Sequence, residues 1–381
     1  RTACRLRKSA GVAELLILCC RNYKCRFDEQ LLIFAQRPDA TAVTTLETWN
    51  RQFKRWVNKN SKGIAVFDTK GRRNTLKYYF DISDTHEGYN SRPVPIWQMN
   101  ERYEQAVIER LSDRFGDLEG NDLGEALMQT AQNAVEDNLP DYLAELKDCT
   151  KDSFLEELDD FNVEVMYKRL AVNSVAFMLI SRCGLDTGVY FERDDFSDIV
   201  NFNTPATLNA IGLAASDISE MALRGFPRLS EMCKYRSEAR IAPLHSLPQS
   251  SMMWAENNPK GAMIMSEITY TKQGDYLIPD LTLPTEPEIQ LGRYAMMHRD
   301  YLEQHKRVTY LNLLTSGKLN GHLYQTEQTA LTRLECLTKQ LSKEQGVTEE
   351  LKEKAPMQWV GLMNNIRSQA EEIILSELIY N

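Results

Sequence analysis

No stretch of the 381 residues is apolar for long enough to cross a bilayer. The best candidate, VAELLILCC at 12–20, falls far short of the roughly 20 residues a helical span needs. Arg5, Arg7 and Lys8 precede it, as the basic start of an export signal would. Yet no small-residue cleavage pattern follows, and the run leads into RNYKCRFDEQ, so a signal peptide is rejected. The chain opens on Arg1 rather than Met and reads as a piece with its start upstream. Cys-x-x-Cys is missing as well. The eight cysteines (Cys4, Cys19, Cys20, Cys25, Cys149, Cys183, Cys233, Cys336) read as structural thiols of a reduced, cytoplasmic protein rather than a disulfide framework or a zinc site. Neither HExxH nor GxxxxGK[ST] occurs, which excludes the zinc-peptidase and phosphate-loop chemistries those motifs serve. Among the acidic residues near prolines and helix starts, no two (Glu286, Glu288, Glu349, Glu350) are placed as an acid–base pair. The expectation is a protein without enzymatic activity, cofactor or metal.

What is present is ordinary for a soluble globular chain: 43% hydrophobic and 26% charged residues, enough for two or three domains. A net charge of −9 argues against nucleic-acid binding over the whole surface, but the charge is uneven. Between Trp49 and Lys77 stand Arg51, Lys54, Arg55, Lys59, Lys62, Lys70, Arg72, Arg73 and Lys77 against the single acid Asp68. Residues 101–164 are strongly acidic.

The segment 227–264 has no sustained helical or strand period and carries Pro227, Pro243, Pro248 and Pro259 among Ser and Asn, as a linker does. A new pattern opens at Met265. The predicted fold is mainly α with small β-hairpins: two separate helical modules, 1–226 and 265–381, joined by an irregular linker. In the first, helices are expected at 12–20, 28–36 and 46–57. Strands follow at 64–67 and 76–82, then helices at 101–115 and 123–138. A long helix capped by Ser153 should run to 183 before Gly184, and two shorter ones should start at Pro205 and Ser216. The second module should open with a hairpin over 265–283, turning at 272–275. Helices should follow at 291–304, 308–315 and 319–344, with a last one reaching 380 and striped by Trp359, Met363, Ile366, Ala370, Ile373 and Ile374.

Two residue groups are candidates for binding. In the first module, Trp49, Arg51, Lys54, Arg55, Trp56, Lys59, Lys62, Arg72, Arg73 and Lys77 combine cations with aromatic faces, the combination that holds unpaired nucleic-acid bases. The same pattern also fits a helix–hairpin core whose cations merely solvate one face. In the second, His298 and His305 are seven apart on one side of a helix, with Arg293, Arg299 and Lys306 nearby. They suit a basic face for phosphates or plain solvated surface. At seven residues apart the imidazoles stand about 10 Å from each other, too far for a shared metal.

The string FDEQLLIFAQRPDATAVTTLETWNRQFKRWVNKNSKGIAVFD, with Glu29-Gln30 before Leu31-Leu32, Trp49-Asn50, Trp56-Val57 and Lys62-Gly63-Ile64, resembles the ArdC-like single-stranded-DNA-binding domain of large conjugative-element proteins. SFLEELDDFNVEVMYKRL and YFERDDFSDIVNFNTPATLNAIG resemble the helical region that follows it, so the likeness covers about 1–226. ITYTKQGDYLIPDLTLP, LGRYAMMHRDYLEQHK, LLTSGKLNGHLY and MQWVGLMNNIRSQAEEIILSELIYN resemble the transposon-encoded TnpV family over about 265–381, with Met265 where a free-standing member would begin. The resemblances imply an accessory protein of a mobile genetic element that contacts single-stranded DNA through its first module. Two alternatives stay open. One is a helical module that docks on other element-encoded proteins without touching nucleic acid; the other is a nuclease or recombinase with an unrecognised site. No membrane partner is expected.

Overall fold

The computed structural model describes residues 9–69, 71, 75–94, 99, 103–118, 122–226, 268–283 and 291–380. The expected linker at 227–264, and Arg72 and Arg73, lie outside these. The fold is mostly helical with small antiparallel sheets, as the period of the sequence predicts. Packing contacts divide the chain into two units, Arg1–Thr69 with Asn74–Thr282, and Lys70–Arg73 with Leu283–Asn381.

The first unit opens with α1 (Ser9–Arg21) and α2 (Phe27–Gln36). Glu29 of α2 accepts from the Arg26 backbone N–H at 3.3 Å, closing the first turn. Gln30 is fully buried, and each of its amide groups is used. Its Nε2 donates to the Asn22 and Cys25 carbonyls at 3.2 and 3.0 Å, and its Oε1 accepts from the Ser216 hydroxyl at 3.0 Å.

The helix expected over 46–57 does not form. Instead β1 (Val43–Thr45) leads into one helical turn, Leu46–Thr48, capped by Thr45, whose hydroxyl accepts from Thr48 N at 3.2 Å. A π turn (Trp49–Phe53) follows, and Lys54 reverses the chain at φ 53°. The chain then becomes β2 (Arg55–Val57), antiparallel to β5 (Thr85–Glu87). The spacing of Leu46, Trp49, Phe53, Trp56 and Val57 fits a helix, but tertiary burial overrides it. Trp49 and Val57 both enter a core with Phe80 and Ile278, and Val57 reaches it only from a strand. Strand alternation then turns the neighbouring Trp56 outward.

β3 (Ile64–Asp68) and β4 (Thr75–Asp81) pair antiparallel as expected, from Ile64 opposite Tyr79 to Asp68 opposite Thr75. β1 adds to the far edge of β4, giving the order β1-β4-β3. At the end of β4 the buried Asp81 carboxylate accepts from Thr41 N (2.7 Å), Ala42 N (3.0 Å) and Ser83 N (3.0 Å), which fixes the turn into β5.

The helical part holds α3 (Glu104–Phe115), α4 (Leu123–Lys147), α5 (Asp160–Cys183) and α6 (Pro205–Gly225). Three expectations change. α4 runs on through Pro140, because Leu139, Leu143 and Leu146 beyond the expected end at 138 are all buried. The cap of α5 is Asp159, accepting from Asn162 N at 3.0 Å, while Ser153 caps a separate 3₁₀ turn, Phe154–Glu157. α6 is one helix rather than two. Ser216 faces the Gln30 amide and Asp217 accepts from the Tyr142 hydroxyl at 3.0 Å, so neither is free to cap a new helix.

The hairpin β6 (Tyr270–Gln273) and β7 (Tyr276–Pro279) turns where expected, with Gly274 at φ 62°. It packs within the first unit. Leu277 N donates to the Ser61 carbonyl at 3.0 Å, Gly63 N to the Leu277 carbonyl at 2.8 Å, and Asn60 N to the Asp275 carbonyl at 2.7 Å. Ile278 joins Trp49, Val57 and Phe80 in the core. The packing boundary therefore falls after Thr282 rather than within 227–264.

The second unit consists of α7 (Arg293–His305), α8 (Arg307–Thr315), α9 (Leu319–Glu344), α10 (Glu349–Lys354) and α11 (Pro356–Ile374), closed by a π turn at Leu375–Ile379. Its core is Tyr294, Ala330, Leu337, Ala370, Ile374 and Ile379. The expected stripe on the last helix is buried at Ile366, Ala370 and Ile374, while Trp359 stays half-exposed beneath the Lys352 ammonium, 4.8 Å from its ring centre.

All six described cysteines are free thiols. Cys19, Cys20 and Cys183 are buried and Cys336 is exposed. Burial pushes the Cys20 thiol up to about 11 and those of Cys25 and Cys149 up to about 12. Alkylation by iodoacetamide near neutral pH, followed by peptide mass spectrometry, should mark Cys336 first among the six. Equal labelling of Cys19 and Cys20 in the native protein would contradict this packing.

Candidate functional site

One exposed aromatic surface of the first unit is the β2–β5 ribbon. Trp56 stands opposite His86 in the register, and its side chain is 51% exposed. Tyr89, two residues past β5, is wholly exposed. The ribbon is braced from behind. Gly88 N donates to the Ser91 hydroxyl at 2.7 Å, that hydroxyl donates to the Lys54 carbonyl at 2.6 Å, and Arg92 N donates to the Phe53 carbonyl at 2.8 Å. Gly88 also leaves room for the indole, since a Cβ there would lie 3.1 Å from Trp56 Nε1. His86 Nδ1 and Asn58 Oδ1 are 2.7 Å apart, which orients the imidazole next to Trp56.

The ten first-module candidates separate into different roles. Trp49 is buried, with its Nε1 donating to the Phe80 carbonyl at 2.9 Å, so it is a core residue and offers no stacking face. Arg55 donates to the Thr85 hydroxyl at 2.9 Å and pairs with Glu87 at 2.5 Å, leaving 11% of its side chain exposed. Lys77 pairs with Glu29 at 2.6 Å beneath the Tyr79 ring. These three hold the fold. Arg51 is exposed and pairs with Glu47 at 2.5 Å, a surface contact of the weak kind. Lys54, Lys59 and Lys62 are exposed. Lys59 stands 3.7 Å from Asp275, and Lys62 lies over the Tyr270 ring at 4.9 Å. With Trp56 they are the exposed members of the ten along 54–62. His86 and Tyr89 are exposed too and were not singled out from the sequence. His86 becomes visible only through cross-strand register, and Tyr89 through exposure.

Lys77 lies beside the buried Glu29 and is itself perturbed. Burial lowers the Lys77 ammonium, but its hydrogen bonds to Glu29 and Tyr79 outweigh that and leave it raised. Burial and the Glu29 charge push the Tyr79 phenol up to about 12. Burial likewise raises Asp28, against the opposing charge of Arg26.

In the second unit the expected basic face is broken up. His298 and Arg299 are buried, and Arg293 pairs with Glu371 at 2.7 Å. His305 is exposed against Tyr301, their ring centres 5.1 Å apart, and Lys306 is half-buried where α7 meets α8. A continuous cationic surface is thus not formed by these five. Among the described residues, no group of three or more His, Cys, Asp or Glu is placed to hold a metal ion. No described helix is long and apolar enough to cross a membrane.

Residues 269–379 match the family model described as Transposon-encoded protein TnpV. The match covers well under half of the chain. No curated protein and no solved structure matches it. The TnpV-matching segment takes in the β6–β7 hairpin as well as the helices of the second unit. The β6–β7 hairpin supplies Tyr270 under Lys62 and Asp275 beside Lys59. His298, Arg299, His305 and Lys306 all fall inside the same segment.

Proposed function

We propose that the protein is a non-catalytic accessory factor of a transposon or related mobile element, and that its first unit binds single-stranded DNA on the β2–β5 ribbon. The TnpV match supports the mobile-element assignment. The observation that carries the DNA reading is the half-exposed Trp56 beside His86, with Lys54, Lys59 and Lys62 on the same stretch of chain. Stacking on an aromatic face contributes about 1–3 kcal/mol per base and suits any base, while the lysines meet phosphates. The ArdC-like resemblance of 1–226 agrees with this, although Trp49, Arg55 and Lys77 are assigned here to the fold instead.

Fluorescence anisotropy with labelled oligothymidine tests it. Trp56→Ala should weaken binding by roughly 5- to 160-fold, the range that loss of one stacking platform implies. Changing Lys54, Lys59 and Lys62 together to Glu should weaken binding further and lower the salt slope by about two, at roughly 0.7 per phosphate contact. Unchanged affinity in both variants would remove the ribbon from consideration.

A second reading is favoured by a different surface. Phe154, Phe161 and Val165 are 59%, 73% and 47% exposed in a stretch that also carries Glu156, Glu157, Asp160 and Glu164. Such a surface suits docking on a partner protein of the element. A wild-type chain that leaves the oligonucleotide unshifted at low salt would favour it.

A further inference from the structure

Two imidazoles from different helices of the second unit meet nitrogen to nitrogen. His298 of α7 and His322 of α9 place their Nε2 atoms 3.2 Å apart. His298 is buried, and its Nδ1 lies 2.8 Å from the Ile379 carbonyl oxygen. A carbonyl oxygen only accepts, so Nδ1 carries a proton and Nε2 of the neutral ring is left with its lone pair. That tautomer, fixed by a backbone carbonyl, is the one metal-bound histidines adopt. His322 is only half-buried, which leaves the pair open to solvent on one side.

The spacing is informative. Two nitrogens bound to one tetrahedral ion at about 2.0–2.1 Å stand roughly 3.3–3.4 Å apart. The ring centres are 5.4 Å apart, nearly head-on, as for an N–H···N bond with the His322 Nε2 proton between the rings. An ion would take the place of that proton once the freer ring, His322, turns out of line with His298 so that both lone pairs converge on it at the tetrahedral angle, and the proton would leave to solvent.

We propose that His298 and His322 form a two-imidazole site for a divalent transition-metal ion, zinc foremost, with water filling the remaining positions. Imidazole nitrogen suits zinc, nickel and copper rather than magnesium or calcium. A bound ion would clasp α7 to α9 and, through His298, hold the π turn that ends at Ile379.

The test is calorimetric titration of the full chain with zinc chloride in chelator-free buffer at pH 7.5, with ¹⁵N spectra of the histidine rings recorded alongside. Wild type should take up one ion that His322→Ala loses or binds at least roughly tenfold more weakly. His305→Ala should bind as wild type does. In wild type, zinc should shift the His298 and His322 Nε2 signals and leave His305 in place, a readout that does not depend on any variant folding. Zinc that moves neither of those signals, or that binds His322→Ala as tightly and in the same number as wild type, would overturn the site.

Discussion

Trp49→Ala is expected to destabilise the first unit by about 3–5 kcal/mol, the usual cost of deleting a buried indole. Trp56→Ala, seven residues on, should cost less than about 1 kcal/mol, as surface changes do. The two tryptophans differ in surroundings alone. Trp49 is 1% exposed, packs on Phe53 with ring centres 5.3 Å apart, and donates to the Phe80 carbonyl. Its removal leaves a cavity between the sheet and Ile278 of the β6–β7 hairpin, and strands a buried carbonyl. Trp49→Phe should fall between, since it keeps most of the apolar area but loses the N–H. Trp56 has half its surface in water and little to lose. Urea unfolding followed by far-UV circular dichroism separates them. The midpoint should move for Trp49→Ala with the slope unchanged, and stay for Trp56→Ala. Equal midpoints would refute the assignment of Trp49 to the core and Trp56 to the surface. The same pair makes the DNA assay interpretable, because weaker binding by Trp56→Ala cannot then be ascribed to unfolding.

Lys77→Met should cost about 3 kcal/mol, at the lower end of what removing one member of a buried ion pair does. Glu29 is 6% exposed and accepts from Lys77 Nζ at 2.6 Å and the Tyr79 hydroxyl at 3.0 Å. Without Lys77 its charge is left buried with two neutral donors, the Tyr79 hydroxyl and the Arg26 backbone N–H. The cost stays at the low end because 26% of the Lys77 side chain already faces water. Lys77→Met combined with Glu29→Gln should recover much of the loss, since no unpaired charge then remains, giving a coupling of about 1–3 kcal/mol in the double-mutant cycle. Strictly additive losses would mean the two groups act independently. The pair also sets a pH dependence. Lys77 is raised in the folded state and Tyr79 is pushed up to about 12. Groups raised on folding contribute stability that is whole below their unfolded values near 10 and is lost as pH climbs through the folded ones. Wild-type stability should therefore begin to fall near pH 9, where the buried thiols Cys20, Cys25 and Cys149 pass their ordinary value, and fall more steeply from about 10 toward 12 as Lys77 and Tyr79 join them. In Lys77→Met the fall should be shallower.

How far sequence reasoning reached depended on whether the deciding partner was local. The helices of the second unit were legible because their apolar periods and glycine ends are local signals. Gly317 and Gly346, at φ 68° and 66°, sit at the ends of α8 and α9 where only a residue tolerant of the left-handed region fits comfortably. The hairpins at 64–82 and 270–279 were legible from alternation and their turns. The segment 46–57 was misread because its period is truly helical. What breaks the helix is Phe80, thirty-one residues from Trp49, together with Ile278, which lies far beyond any local window. Ser216 looked like a cap because serine usually is one outside a core, and only Gln30 of α2 explains its mid-helix place. Along the sequence the neighbour of His298 on its helix is His305, whereas its real partner, His322, comes from α9.

The sequence by itself determined the mainly helical composition with small antiparallel hairpins, the positions of most helix ends, the character of the thiols, and the TnpV-like string whose span the family match supports. All of these follow from backbone propensity, hydrophobic period or direct likeness, which need no knowledge of the third dimension. Tertiary structure alone decided which of two tryptophans faces water, and which lysines are exposed and which pair with a buried carboxylate. It also placed the β6–β7 hairpin against the first sheet and brought His298 to His322. Each of those outcomes depends on burial and hydrogen bonding between groups distant along the chain, and a local pattern carries no record of such partners.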